Sequence, residues 1–354
     1  MYENISDFCC WYIFLRGYSV KYGVFLEIYL IFLWVMIFIF VYWVSDGENM
    51  CLVEINYTFA CIKSFFMKKI AAIHDLSGYG RASLTVAIPI LSYMGYQVCP
   101  LPTAILSAHS EYQNFRSFDL TEQMQPIIDH WKELHLHFDA LYSGYLASER
   151  QLDIVEQFFC DFKKDDNFVL VDPVLGDHGQ LYPNMEQKMI EGMRRLCGRA
   201  KVITPNLTEA ALLLGHKLRT EVQEREAIEW CVELGELGPD YSIITSAPVG
   251  GQNQIATLAY NRLDGRLWRV CSKYLPASYP GTGDAFASVI TGCLLHDDSL
   301  PEAIERAVHF INMGIHATFG CDHNPLDGMN QEKVLHYLVE SLPYFTYELL
   351  GTFK

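Results

Sequence analysis

At 354 residues the chain is long enough to bury a large core, in one big α/β domain or two smaller ones. Its net charge of −16, with no run of Lys and Arg, excludes a nucleic-acid partner, because phosphate strands are held by clustered cations. The eleven cysteines show neither a C-x-x-C pair nor zinc spacing, so they read as small buried apolar residues, reduced, in a cytoplasmic protein.

The composition changes near Met67. Residues 1–66 hold 19 aromatic residues against three Lys or Arg, and Ile28 to Val44 carries no charge. That run approaches the roughly 20 apolar residues of a membrane span. Its β-branched and aromatic content argues against a clean helix, and no small-residue cleavage site follows. One reading is a membrane anchor. The other, which we favour, is an upstream stretch outside the working protein, with Met67-Lys68-Lys69 as a start that runs straight into a buried strand. The expected division is an apolar extension over 1–66 and one domain over 67–354.

From Met67 short apolar runs alternate with amphipathic ones. Ile70–Ile73 reads as a strand, Leu84–Met94 as a helix, and Gln97–Pro102 as a strand. Leu120–Leu134 is helical, Ala140–Ser143 a strand, and Ser148–Phe162 a helix. Phe168–Val171 is a strand apolar on both faces, as in a parallel sheet. Met185–Leu196 is helical, Val202–Thr204 a strand, Thr208–Leu214 and Arg225–Leu234 helices, and Tyr241–Thr245 a strand. Ile255–Asn261 and Leu267–Ser272 read as an antiparallel pair, a candidate edge hairpin. Helices follow from Asp284, over Pro301–Phe319 and over Gln331–Leu342. This alternation predicts an α/β fold with a mostly parallel sheet flanked by helices. Ligands of such sheets bind at the carboxyl ends of the strands, where the polar clusters fall.

The most informative cluster is Gly281-Thr282-Gly283-Asp284. Two glycines let the backbone approach a ligand, and the helix that follows leaves its first N–H groups open to an anion. An acid there repels phosphate but is well placed to take a proton from an attacking hydroxyl. Read alone, the same residues also fit a loop with a capping Asp.

The other clusters are weaker one by one. Asp75, in His74-Asp75-Leu76-Ser77-Gly78-Tyr79-Gly80, stands near the end of the first strand as a ligand or as a turn residue. Thr103 and His109 follow the second strand, and Tyr145 follows the third, where it could stack on a flat ring or pack in the core. Asp172 ends the most apolar strand. A carboxylate there is costly unless paired or facing a cation, and the water shell of Mg²⁺ suits it. Asn206 and Glu209, three apart at a helix start, either face one site or form a capping box. Thr245 and Ser246 end the next strand as nucleotide contacts or turn formers.

The order of these clusters is more specific than any one of them. SGYL, DPVLGD, TPNLTE and GTGDAF in sequence resemble the ribokinase-like superfamily, and within it the vitamin B6 kinases, over about residues 68–340. The resemblance implies a three-layer αβα sandwich, ATP as co-substrate and Mg²⁺. It implies Asp284 as catalytic base and the N–H groups of Gly281, Thr282 and Gly283 as the anion hole. Asp172 and Glu209 would sit at the metal, and Thr204, Asn206, Thr245 and Ser246 at the nucleotide. Asp75, Thr103, His109 and Tyr145 would face a small pyridine substrate. Relatives are commonly homodimers.

One departure bears on the substrate. Better-known pyridoxal kinases carry Ser where Asp75 stands, which leaves the vitamer open and keeps hydroxymethylpyrimidine phosphorylation as an alternative. The segment Asp177–Tyr182 has no Cys, which argues against an aldehyde-trapping variant. A membrane-tethered, non-catalytic binding module is the alternative of another class; the intact acid and glycines argue against it.

Overall fold

Strand-forming runs with apolar residues on both faces and helices with one apolar face have one economical arrangement, a sheet covered on both sides. The computed structural model, which describes residues 67–163, 168–183, 185–219, 221–249, 253–275, 279–322 and 324–353, has it. The expected anchor or upstream stretch over 1–66 lies outside the described residues, as do Gly250 and Gly251 of the turn expected after Ser246.

The chain runs β1 (Lys69–Ser77), α1 (Leu84–Tyr93), β2 (Gln97–Leu106), β3 (Ser117–Asp119), α2 (Thr121–Glu133), β4 (Ala140–Ser143), α3 (Glu149–Phe162) and β5 (Phe168–Val171). A two-stranded flap, β6 (Gly176–Asp177) with β7 (Gln180–Leu181), precedes α4 (Gln187–Cys197). Then come β8 (Val202–Ile203), α5 (Leu207–Leu214), α6 (Glu224–Gly235), β9 (Tyr241–Pro248), β10 (Gln254–Asn261) and β11 (Arg266–Lys273). Helices α7 (Thr282–Leu295) and α8 (Leu300–Thr318) and an outer strand, β12 (Glu348–Thr352), complete the order.

Ten strands form one sheet in the order β12-β11-β10-β9-β8-β5-β4-β1-β2-β3. The six from β9 to β2 are parallel, and antiparallel strands extend both edges. Side chains alternate with the period of two that a pleated strand imposes. Ala71, Ile73, Leu141, Val169 and Val171 face the layer of α2 to α6, and Ile70, Ala140, Tyr142, Phe168 and Leu170 face α1, α7 and α8. Each fully buried Ile, Leu or Phe contributes roughly 1.5–3 kcal/mol.

Two expectations change. Gln331–Leu342 is not an α-helix: it forms two 3₁₀ turns, Gln331–Lys333 and Leu335–Leu338. The Gln331 side chain, almost fully buried, donates to the Thr85 carbonyl at 3.1 Å, a tertiary anchor that periodicity does not register. The pair β10–β11 is not the sheet edge, because β12 pairs outside it from the far end of the chain.

The chain order has one reversal that matters. From β1 it moves to β2 on one side, then returns to β4 on the other. Between the carboxyl ends of β1 and β4 the two crossovers diverge, the usual ligand position in a sheet of this kind.

Candidate active site

Asp284 stands in the first turn of α7, beside His74 of β1 and Tyr142 of β4 at that point of the sheet. The helix opens on Gly281, whose φ of 79° is the left-handed conformation that favours glycine. A Cβ at Gly281 would press into the Arg81 carbonyl, whereas one at Gly283 would meet open space. With glycine at the N-cap, no side chain caps the first amides of α7, which leaves them for an anion.

The Asp284 side chain is 15% exposed. One oxygen accepts the Ser83 N–H at 2.8 Å, and the other lies 3.9 Å from His74 Nδ1. Burial raises its pKa to about 6; the Ser83 N–H pulls the other way, and the nearby Asp75 charge pushes it up further. Tyr142, a buried residue of β4, donates to the Asp284 carbonyl at 3.3 Å and so ties the start of α7 to the sheet.

Asp75 lies at the end of β1, nearly buried, and accepts from the Ser83 hydroxyl at 2.5 Å and from Ser77 at 3.4 Å. Burial raises its pKa too. Thr103 is fully buried, and its hydroxyl donates to the Tyr145 carbonyl at 3.3 Å, so these two expected site residues are joined. Tyr145 is half-buried, and the Asp75 charge acts on its hydroxyl. His109 is buried with its Nε2 2.5 Å from the Leu326 carbonyl and Nδ1 accepting the Glu111 N–H at 3.4 Å. A carbonyl partner requires a donor, so the Nε2–H tautomer follows, and the ring fastens the 324–328 segment over the β2 loop.

Asp172 and Glu209 form a second acidic group. Asp172 ends β5 and accepts the Thr204 hydroxyl at 2.9 Å. Burial, reinforced by the Asp284 charge, raises its pKa to about 7. Glu209 is raised well above the carboxylate range by burial and then by Asp172. Asn206 and Glu209 make a capping box on α5: Asn206 Oδ1 accepts the Glu209 N–H at 3.0 Å, and Glu209 accepts the Asn206 N–H at 2.8 Å. The capping-box reading of that pair is therefore met, and the Asp172 charge acts on the capping Glu209. Thr245 and Ser246 lie inside β9, which runs on to Pro248 rather than ending with them, and the Thr245 N–H donates to the Pro205 carbonyl at 3.1 Å.

Among the described residues, no three His, Cys, Asp or Glu side chains are grouped to hold a metal by themselves. Asp172 and Glu209 are instead two buried acids, each raised by its surroundings, which a cation would relieve. Two carboxylates with water and phosphate completing the shell is the way Mg²⁺ is usually held, so the donor set fits that ion.

Three residues were not singled out by sequence: Ser83, His74 and Tyr142. Ser83 has the form of an ordinary N-cap serine, yet its side chain makes no cap bond and is engaged by Asp75. His74 read as the first residue after the strand Ile70–Ile73, which instead runs on to Ser77, and Tyr142 as strand interior; only the fold brings both to Asp284.

A family model described as phosphomethylpyrimidine kinase matches residues 103–327. The pyridoxal kinase of Arabidopsis thaliana is 29% identical over 244 residues, covering 66% of this chain and 76% of that protein. A crystal structure of a candidate phosphomethylpyrimidine kinase from Bacteroides thetaiotaomicron, in a form with pyridoxal, is 51% identical with a TM-score of 0.78, covering 80% of this chain and 100% of that one. The pyridoxal kinase of Lactobacillus plantarum is 30% identical with a TM-score of 0.70, covering 77% and 97%.

Proposed function

The chain belongs to the phosphomethylpyrimidine kinase family, with the ribokinase-like fold shared by the pyridoxal kinases it resembles, and on that premise we propose that it phosphorylates the 5′-hydroxymethyl group of a vitamin B6 vitamer with ATP. The observation that carries this reading is Asp284: a largely buried acid with a pKa near 6, fixed by a backbone N–H, beside uncapped amides of a glycine-opened helix. A base works best when its pKa lies near the working pH.

Asp284 takes the proton of the attacking hydroxyl. The N–H groups of Gly281, Thr282 and Gly283 receive the charge on the transferred phosphoryl group. Thr204, Asn206, Thr245 and Ser246 line the nucleotide. Asp75, Thr103, His109 and Tyr145 surround the pyridine ring, with Asp75 facing a ring nitrogen or substituent. Asp172 and Glu209 would hold Mg²⁺, which would offset phosphate charge there. The working unit is the domain over 67–354, acting as a cytoplasmic homodimer, with residues 1–66 as an extension. Among the described residues no helix is long and apolar enough to cross a membrane.

The test is an ATP-consumption assay of the purified protein with pyridoxine, pyridoxamine, pyridoxal and hydroxymethylpyrimidine. Turnover of a B6 vitamer with phosphate on the 5′ oxygen is expected. Turnover of hydroxymethylpyrimidine alone would replace this reading with the thiamine one, and none at all would favour a binding module.

A further inference from the structure

His74 is fully buried, yet neither ring nitrogen has a hydrogen-bond partner among the described residues. Orphaned polar atoms in a core are destabilising, and an apolar side chain would fill the same space without them. The fold nevertheless makes room for this ring. It stands edge-on to Tyr142, with centroids 4.3 Å apart, and a Cβ at Gly144 would collide with it.

The ring also has a direction. Its Nδ1 is 3.9 Å from Asp284 Oδ1, about an ångström beyond a hydrogen bond. The pair is not an ion pair, because burial pushes the His74 pKa down to about 3 and keeps the imidazole neutral. A neutral imidazole carries one proton, and on Nδ1 that proton faces the acid. The opposite oxygen of Asp284 already accepts the Ser83 N–H.

We propose that His74 is a positioning residue for Asp284, a neutral Nδ1–H donor that closes the gap to Oδ1 when the carboxylate turns to the substrate hydroxyl. Ser83 and His74 then hold one carboxylate oxygen each, and no proton leaves the ring. The inference rests on Asp284 being the base.

His74→Leu removes the donor, and His74→Asn restores an N–H near the Nδ1 position. The Leu variant should lose about 10–100-fold in kcat, the scale of a misplaced catalytic group. Its KM for ATP and vitamer should stay within about twofold, and its melting temperature should be unchanged or higher, since the orphaned nitrogens are gone. His74→Asn should recover most of the lost kcat. Added to Asp284→Asn, the Leu change should cost nothing further. Wild-type kcat in His74→Leu would overturn the proposal, as would an Asn variant as slow as the Leu one, or a kcat loss matched by a fall in melting temperature. If His74→Leu does not fold, His74→Met takes its place, judged by the same outcomes. Near-normal turnover of Asp284→Asn would instead remove the base itself, a failure distinct from that of His74.

Discussion

The Ser83 N–H donates to the Asp284 carboxylate at 2.8 Å, while the same residue's hydroxyl donates to Asp75 at 2.5 Å. One serine therefore fixes the proposed base and the proposed ring-reading acid together. Its backbone pays for this with φ 54° and ψ −125°, a conformation few non-glycine residues adopt. Ser83→Ala should leave the N–H on Asp284 and release Asp75, raising the vitamer KM more than it lowers kcat and destabilising by about 1–2 kcal/mol. Ser83→Gly should be the more stable of the two variants, because the strain is relieved. Denaturant melts with steady-state kinetics check both, and an unchanged vitamer KM in Ser83→Ala would separate Asp75 from recognition.

Asp284→Asn keeps the shape of the side chain and removes the base. We expect kcat to fall by about 10²–10⁴-fold with the fold intact. In the wild-type enzyme the base works deprotonated, so kcat/KM should decline as the pH drops through about 6, the value to which burial raises Asp284. An acid limb near pH 4 would mean that the reacting carboxylate is not a buried one.

Asp172 should leave a mark on stability. Its folded pKa is raised from 3.8 to about 7, so its contribution is fully present below about pH 4 and is lost as pH rises through 7. Asp172→Asn mimics the neutral form. It should melt with the wild type near pH 4 and be more stable by about 2–4 kcal/mol at pH 8. Mg²⁺ should stabilise the wild type at pH 8 and the variant much less. Equal melting of the two proteins at pH 8 would show that the Asp172 charge is already compensated.

Asp75→Ser should redistribute activity among pyridoxine, pyridoxamine, pyridoxal and hydroxymethylpyrimidine while changing the ATP KM little. Asp75 contacts Ser83 and Ser77 on the β1 side, away from the β8 and β9 side where Thr204 and Thr245 lie. The same fractional loss for every acceptor would count against a ring-reading role.

Gly144 should tolerate no side chain. A Cβ there collides with the His74 ring, which has nowhere to retreat in a close-packed core. Gly144→Ala should destabilise by about 1–3 kcal/mol and lower kcat through displacement of His74. Thermal melts and turnover check this, and a neutral variant would show the ring to be more mobile than its burial implies.

Most of the layer structure was legible beforehand because apolar periodicity is a local property. Phe168–Val171 and Ala140–Ser143 read correctly to the residue. Misreadings came where distant contacts decide. Gln331 sits in a helical-looking pattern, but its bond to Thr85 holds the chain in 3₁₀ turns. The edge beside β11 is closed by Glu348–Thr352, some eighty residues later, and strand pairing across that separation leaves no local trace.

The site divides in the same way. By itself the sequence determined which residues stand at strand ends and helix starts, because glycine, an N-terminal acid and a strand-final carboxylate carry their conformational reasons with them. It thereby determined Asp284, Asp172, Asn206 with Glu209, and the glycines of the anion cradle as candidates. Only the tertiary structure decided which of them share an environment. It gave Ser83 to both Asp75 and Asp284, set His74 behind the base under Gly144, and placed the acids so that the charge of Asp75 acts on Asp284, that of Asp284 on Asp172 and that of Asp172 on Glu209. Burial and proximity arise from packing of segments far apart in the chain, and no spacing along one segment encodes them.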